Sequence, residues 1–167
     1  MPVTRDIAEA YIRPRVVMAR KLAAGQREDR ALAYLMGGCV MMFIAQLPRL
    51  SREAHFDPSV PLEGLITGAL QGIVFILPLL LYGVAAALHI GTRVFKGQGT
   101  WFTTRLVLFW TMLSMAPMFL LHGLVAGFIG PSVQLDLVGG LVLAAFLWLW
   151  GNAMVAAEKG LGTHAAN

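Results

Sequence analysis

The sequence predicts an all-α polytopic membrane protein: four transmembrane helices preceded by an N-terminal amphipathic helix at the membrane interface. Two observations carry that fold class. Of 167 residues, 57% are hydrophobic and only 13% charged, with a mean hydropathy of +0.70. Soluble domains carry roughly 25% charged residues, and so small a body cannot hide this much apolar surface from water. The apolar residues also fall in four long runs without period-2 alternation. Runs of that length suit helices crossing a bilayer and are far too long for barrel strands.

The arm, residues 1–30, is cytoplasmic and basic. Asp6 followed by Glu9 three residues later predicts a capping box, and Pro14 should break or bend the helix it opens. Beyond Pro14, "RPRVVMARKLAAGQREDR" can be helical, with Arg13, Arg20 and Arg27 seven apart on nearly one face and Met18 and Leu22 roughly opposite. Such a segment lies on an anionic leaflet with its apolar side down, or serves as a plain charged topology anchor.

The first span, 31–47, is just long enough to cross upright. The second, 62–90, exceeds the ~20 residues needed and must tilt or kink. The third, 101–125, and the fourth, 135–157, fit a bilayer well. They are joined by the short turn "AGFIGPSVQ", which predicts an antiparallel hairpin. Residues 158–167 form a short tail. The first apolar run follows a long charged lead and has no small-residue cleavage site after it, so it reads as a permanent span rather than a signal peptide.

Orientation follows from Lys and Arg. Of the 13 in the chain, seven lie in the arm, two (Arg49 and Arg52) in the first loop, three (Arg93, Lys96 and Arg105) in the second, and one (Lys159) in the tail. With the amino terminus inside, eleven face the cytoplasm and two the other side, so both termini are expected to be cytoplasmic. The glycine-rich, cationic stretch Gly91–Arg105 is then a cytoplasmic loop. Its Arg93, Lys96 and Arg105 sit at the membrane surface, and Trp101 and Phe102 form an aromatic belt. It lacks the G-x-x-x-x-G-K-[ST] spacing and preceding strand of a phosphate cradle. The net charge of +4 belongs with an anionic lipid surface rather than nucleic acid.

Within the spans, Gly64, Gly68 and Gly72 make two overlapping small-xxx-small motifs, and Gly123 and Gly127 make a third. Such motifs let helix backbones approach, either inside the bundle or against another membrane protein or a second copy. Internal packing is the expectation for all five. Pro78 and Pro117 should kink the second and third spans. The deep polar residues are Gln71, Thr111, Ser114 and Asn152. No deeply placed Asp, Glu, Lys or Arg marks a proton or ion path. His89 and His122 lie about 30 Å apart along the bundle, so they cannot share a haem iron. His55, His122 and Asp136 make a poor metal set. Cys39 is alone. No nucleophile–base, paired-carboxylate or H-E-x-x-H pattern appears, so no enzyme activity, cofactor or metal is expected.

The order of features resembles the Yip family, Golgi membrane proteins that interact with Rab-type GTPases, and their bacterial relatives. The resemblance is carried by "FKGQGTWFTTR" after the second span, "LVLFWTMLSMAP" opening the third, the turn "GFIGP", and "LVGGLVLAAFLWLW" ending in "AAEKGLG". It covers about Ala31 to Gly162. The family usually has five spans and this chain reads as four, and the aspartate-leucine-tyrosine motif of eukaryotic members is absent. The resemblance therefore implies a membrane fold in a bacterial inner membrane, not a Rab-trafficking role. The function expected is membrane organisation, or an accessory subunit acting through helix–helix contacts. The alternative is a small-molecule or lipid carrier whose proline-kinked helices gate a wet cavity lined by Gln71, Ser114 and Asn152.

Overall fold

A computed structural model describes residues 2–94 and 99–158, and every regular element among them is helical. The arm folds into α1 (Val3–Ile12) and α2 (Pro14–Ala23), followed by α3 (Glu28–Phe56), α4 (Leu62–Leu70), a π-helical turn (Gln71–Ile76) and α5 (Leu77–Val94). After the second loop come α6 (Trp101–Ser114), α7 (Ala116–Phe128) and α8 (Val133–Glu158). Three helices are long and apolar enough to cross a membrane: Glu28–Phe56, the continuous Leu62–Val94, and Val133–Glu158. Helices α6 and α7 meet at a 45° bend and make a fourth if read as one broken span.

Helix α6 is the axis of the bundle. Phe102, Leu106, Val107, Leu108, Phe109, Trp110 and Met112 are all buried, and so are Thr104, Thr111 and Ser114. It is packed by α3, α5 and α8 and touched by the arm through α1. Thr111 Oγ1 returns its proton to the Val107 carbonyl at 2.8 Å, so a hydroxyl in the core is satisfied within its own helix. By contrast α8 is mostly outward-facing, with only 6% of its most apolar stretch buried.

The ends of α3 and α1 differ from the expectation, while α6 begins at Trp101 as expected and carries a cap of its own. Helix α3 does not stop at Leu47 but runs through Pro48 to Phe56. A proline removes one backbone donor, and a long packed helix tolerates that loss. Asp6 does not cap α1: the helix starts earlier, with Pro2 at the N-cap and no side-chain cap. At the start of α6, Thr100 and Thr103 form a reciprocal capping box, with Thr103 N–H donating to Thr100 Oγ1 at 3.2 Å and Thr100 N–H to Thr103 Oγ1 at 2.7 Å.

The prolines act differently from one another. Pro14 ends α1 and opens α2. Pro117 sits in the first turn of α7, where no backbone donor is needed, and the chain bends just before it at Met115. Pro78 does not break its helix. Directly ahead of it the backbone widens into the π-turn, where Leu77 N–H bonds to the Gly72 carbonyl five residues back.

Candidate functional site

The arm is built into the bundle rather than laid beside it. Val17 and Met18 have no exposed surface. The apolar side expected to rest on lipid therefore packs on protein, and α2 lies against α8. Two polar clasps fix it: Tyr11 OH donates to the Ser114 carbonyl at 2.8 Å, and Arg15 Nε to Asn152 Oδ1 at 2.9 Å. Beneath them is a charge cluster. Asp6 is 3% exposed and Lys21 8%, and Lys21 Nζ donates to Asp6 Oδ2. The ammonium also lies 4.2 Å from the Trp110 ring centre and 5.3 Å from that of Tyr34. Arg20 closes the cluster with Nη1 on Asp6 Oδ1 at 3.0 Å and Nη2 on Glu9 Oε1 at 2.9 Å. The Glu9 carboxyl is held below its ordinary range by the hydrogen bond from Arg20.

The cations expected at the membrane surface thus divide. Arg20 is drawn into the clasp. Arg27 pairs with Asp29 at 2.8 Å, and Arg105 pairs with Glu28, which ties α6 to the start of α3. Arg13 and Arg93 are exposed. Lys96 lies outside the described residues. Of the two belt aromatics, Trp101 is half exposed and stacks on His89 at 4.1 Å, whereas Phe102 is buried in the core.

The glycine motifs divide as well. A Cβ on Gly123 would fall 1.7 Å from the Ala45 carbonyl oxygen, and one on Gly127 would fall 2.4 Å from Pro48 Cβ. Those two glycines are where α7 crosses α3 backbone to backbone. Gly38, not singled out in the sequence, does the same against Met112 and Leu113 of α6, at 3.1 Å. The Gly64, Gly68 and Gly72 stripe does not pack internally. A Cβ added at Gly68 or Gly72 would meet no other part of the protein within 4 Å, and one at Gly64 would meet Pro61 of its own turn, at 3.7 Å. The reason is the rotation of α4 and the π-turn: their inward side is carried by half-buried Leu65, Ile66, Ile73 and Val74, which leaves Gly68 exposed.

The deep polar groups do not converge on a wet cavity. Gln71 is exposed on the outer side, and Asn152 is held by Arg15. Ser114 borders a void of about 10 Å³ beneath the arm, at the lower limit for a single water. Among the described residues no three His, Cys, Asp or Glu side chains are grouped to hold a metal ion. Buried His89 places Nδ1 3.3 Å from Thr104 Oγ1, between α5 and α6. His122 lies with Met42, Gln46 and Gly139 in a shallow cleft between α3, α7 and α8.

The chain matches no family model, no curated protein and no solved structure.

The features that the sequence reading missed have identifiable signals. Thr104 falls seven residues before Thr111, already named among the deep polar residues, and in an apolar helix such hydroxyls mark the protein-facing side. Lys21 gave no local sign, because its partner lies fifteen residues away in sequence.

Proposed function

We propose that this chain is a non-enzymatic, four-span protein of Yip-like type in a bacterial inner membrane, with both termini in the cytoplasm. It works as a membrane organiser or accessory subunit through helix–helix contacts. The observation that carries the reading is the contrast between its glycine stripes. Gly123 and Gly127 are consumed by the α3–α7 crossing, while Gly68 and Gly72 present a side-chain-free backbone strip on the outside of the bundle. In lipid, where the hydrophobic drive between helices is absent, such a strip favours close van der Waals packing with another helix. The separation of Gln71, Ser114 and Asn152 supports this reading over a carrier whose wet cavity they would line.

Two measurements test this. Reporter fusions after Gly97 and Glu158 are expected to read cytoplasmic, and one at Asp57 periplasmic. A periplasmic Glu158 overturns the four-span topology. Gly68→Ile is expected to leave the melting temperature in detergent unchanged while shrinking the complex the protein forms in mild detergent. A wild-type protein that runs as a lone chain, or a variant complex of unchanged size, refutes the docking role.

A further inference from the structure

At the end of the bundle opposite the start of α3, the helix extension beyond Pro48 carries Arg49, Arg52, Glu53 and Phe56. Their spacing of i, i+3, i+4 and i+7 places them on one face, and Asp57 follows at the helix end. This face overhangs an open groove of about 480 Å³ whose floor is apolar, formed by Phe56, Ala126 and Leu135. A second groove of about 580 Å³ lies on the other side of the same Arg52–Phe56 ridge, walled by Pro48, Gly127 and Phe128. Each volume is in the range of a small-ligand site.

The charges on the ridge are arranged rather than cancelled. Among the described residues Arg52 meets no carboxylate: its Nη1 donates to the Gly127 and Phe128 carbonyls at 3.4 Å each, and its guanidinium lies 4.8 Å from the Phe56 ring centre. Arg49 pairs with Glu53 at 3.2 Å, but both side chains are about half exposed, at 50% and 46%. An exposed pair of that kind is worth little and re-pairs readily. Asp57 accepts from Ser59 N–H at 3.1 Å and from its hydroxyl, which keeps the carboxyl ionised below its ordinary range. Two guanidiniums and two carboxylates therefore line the rim of the first groove above its apolar floor, while the second groove also carries Ser51 and His55.

We propose that this end of the bundle binds a single two-chain phospholipid with a zwitterionic, amine-bearing headgroup. The phosphate lies on Arg49 and Arg52, the ammonium lies on Asp57 and Glu53, and the acyl chains run from the phosphate back toward the apolar run of α3. Charge complementarity selects the headgroup. A purely anionic lipid leaves the two carboxylates facing it, and a choline headgroup has no N–H to give them. The depth fits, because the ridge begins where the apolar run of α3 ends and Leu135 opens the apolar run of α8. The site rests on the membrane reading above.

Native mass spectrometry of the full chain, delipidated and supplied with phosphatidylethanolamine, phosphatidylglycerol or phosphatidylcholine of matched chains, tests it. Phosphatidylethanolamine is expected to be retained about tenfold more tightly than the other two, the effect of one charge-assisted hydrogen bond. Asp57→Asn is expected to bring it down to the phosphatidylcholine level. Arg49→Gln is expected to weaken all three. Leu135→Trp fills the groove and is expected to abolish retention at an unchanged melting temperature. Equal retention of the three lipids, or full retention in both Asp57→Asn and Leu135→Trp, overturns the site. Membrane residence is scored separately by alkaline carbonate extraction, so a lipid-binding failure in a carbonate-resistant protein counts against the site alone.

Discussion

Removing the Asp6 carboxylate is expected to release the arm. In the folded chain Lys21 is an ammonium under two aromatic rings with one buried anion in contact, and Asp6 is 3% exposed. Breaking a buried pair from one side costs about 3–5 kcal/mol, because the surviving charge stays desolvated. In Asp6→Ala the rings still attract Lys21, a contribution of up to about 2 kcal/mol when desolvated. The net effect is therefore at the low end, about 3 kcal/mol. Lys21→Met is milder, because Arg20 continues to hold Asp6 at 3.0 Å. The double variant Asp6→Leu/Lys21→Met is expected to lie near wild type, since an apolar pair of similar volume often replaces a buried ion pair at no loss. The assay is native-state trypsin cleavage within the arm, in the regime where rate follows the open population. Asp6→Ala is expected to be cut roughly a hundredfold faster, Lys21→Met less so, and the double variant close to wild type. Wild-type cleavage of Asp6→Ala refutes the reasoning, as does a double variant worse than either single one.

Acid should loosen the same clasp. The Glu9 carboxyl is lowered in the folded state by Arg20, so its contribution is complete above the ordinary value of 4.5 and is lost as pH falls through the folded value. Arm cleavage by an acid protease is expected to be independent of pH near neutrality and to rise only below that range, with Glu9→Gln flattening the rise. At the α3–α7 crossing, Gly123→Ala forces a methyl onto the Ala45 carbonyl and is expected to cost about 1–3 kcal/mol in thermal unfolding, as an overpacked core does. Gly72→Ala, with open space around it, is expected to stay within about 0.5 kcal/mol.

What could be read from sequence was depth, and what could not was facing. The long apolar runs located the second and fourth helices within a few residues, 62–90 against Leu62–Val94 and 135–157 against Val133–Glu158. Lipid and protein interior are equally apolar, so hydropathy could not say that α6 is enclosed while α8 is bare. The same ambiguity assigned Gly64, Gly68 and Gly72 to the interior, since glycine spacing is identical on either side of a helix. Pro48 concealed the extension that carries Arg49 and Arg52, because a proline followed by charges looks like a helix end. Asp6 imitated a cap because Glu9 follows at the right spacing, whereas its real partners, Arg20 and Lys21, are reached only through the turn at Arg13 and Pro14.

The bareness of α8 bears on how the chain is made. Leu137, Leu141, Leu143, Leu147 and Trp148 all face outward, so for most of its length this helix gains little from neighbours. It must leave the insertion machinery on its own hydrophobicity, which its composition allows. Helix α6 is the reverse case. With Thr104, Arg105, Thr111 and Ser114 along its length it is a weak insertion signal, and α3 and α5, its partners on two sides, are synthesised before it. Synthesis order and packing order therefore agree. The segment that most needs help emerges beside helices already in place.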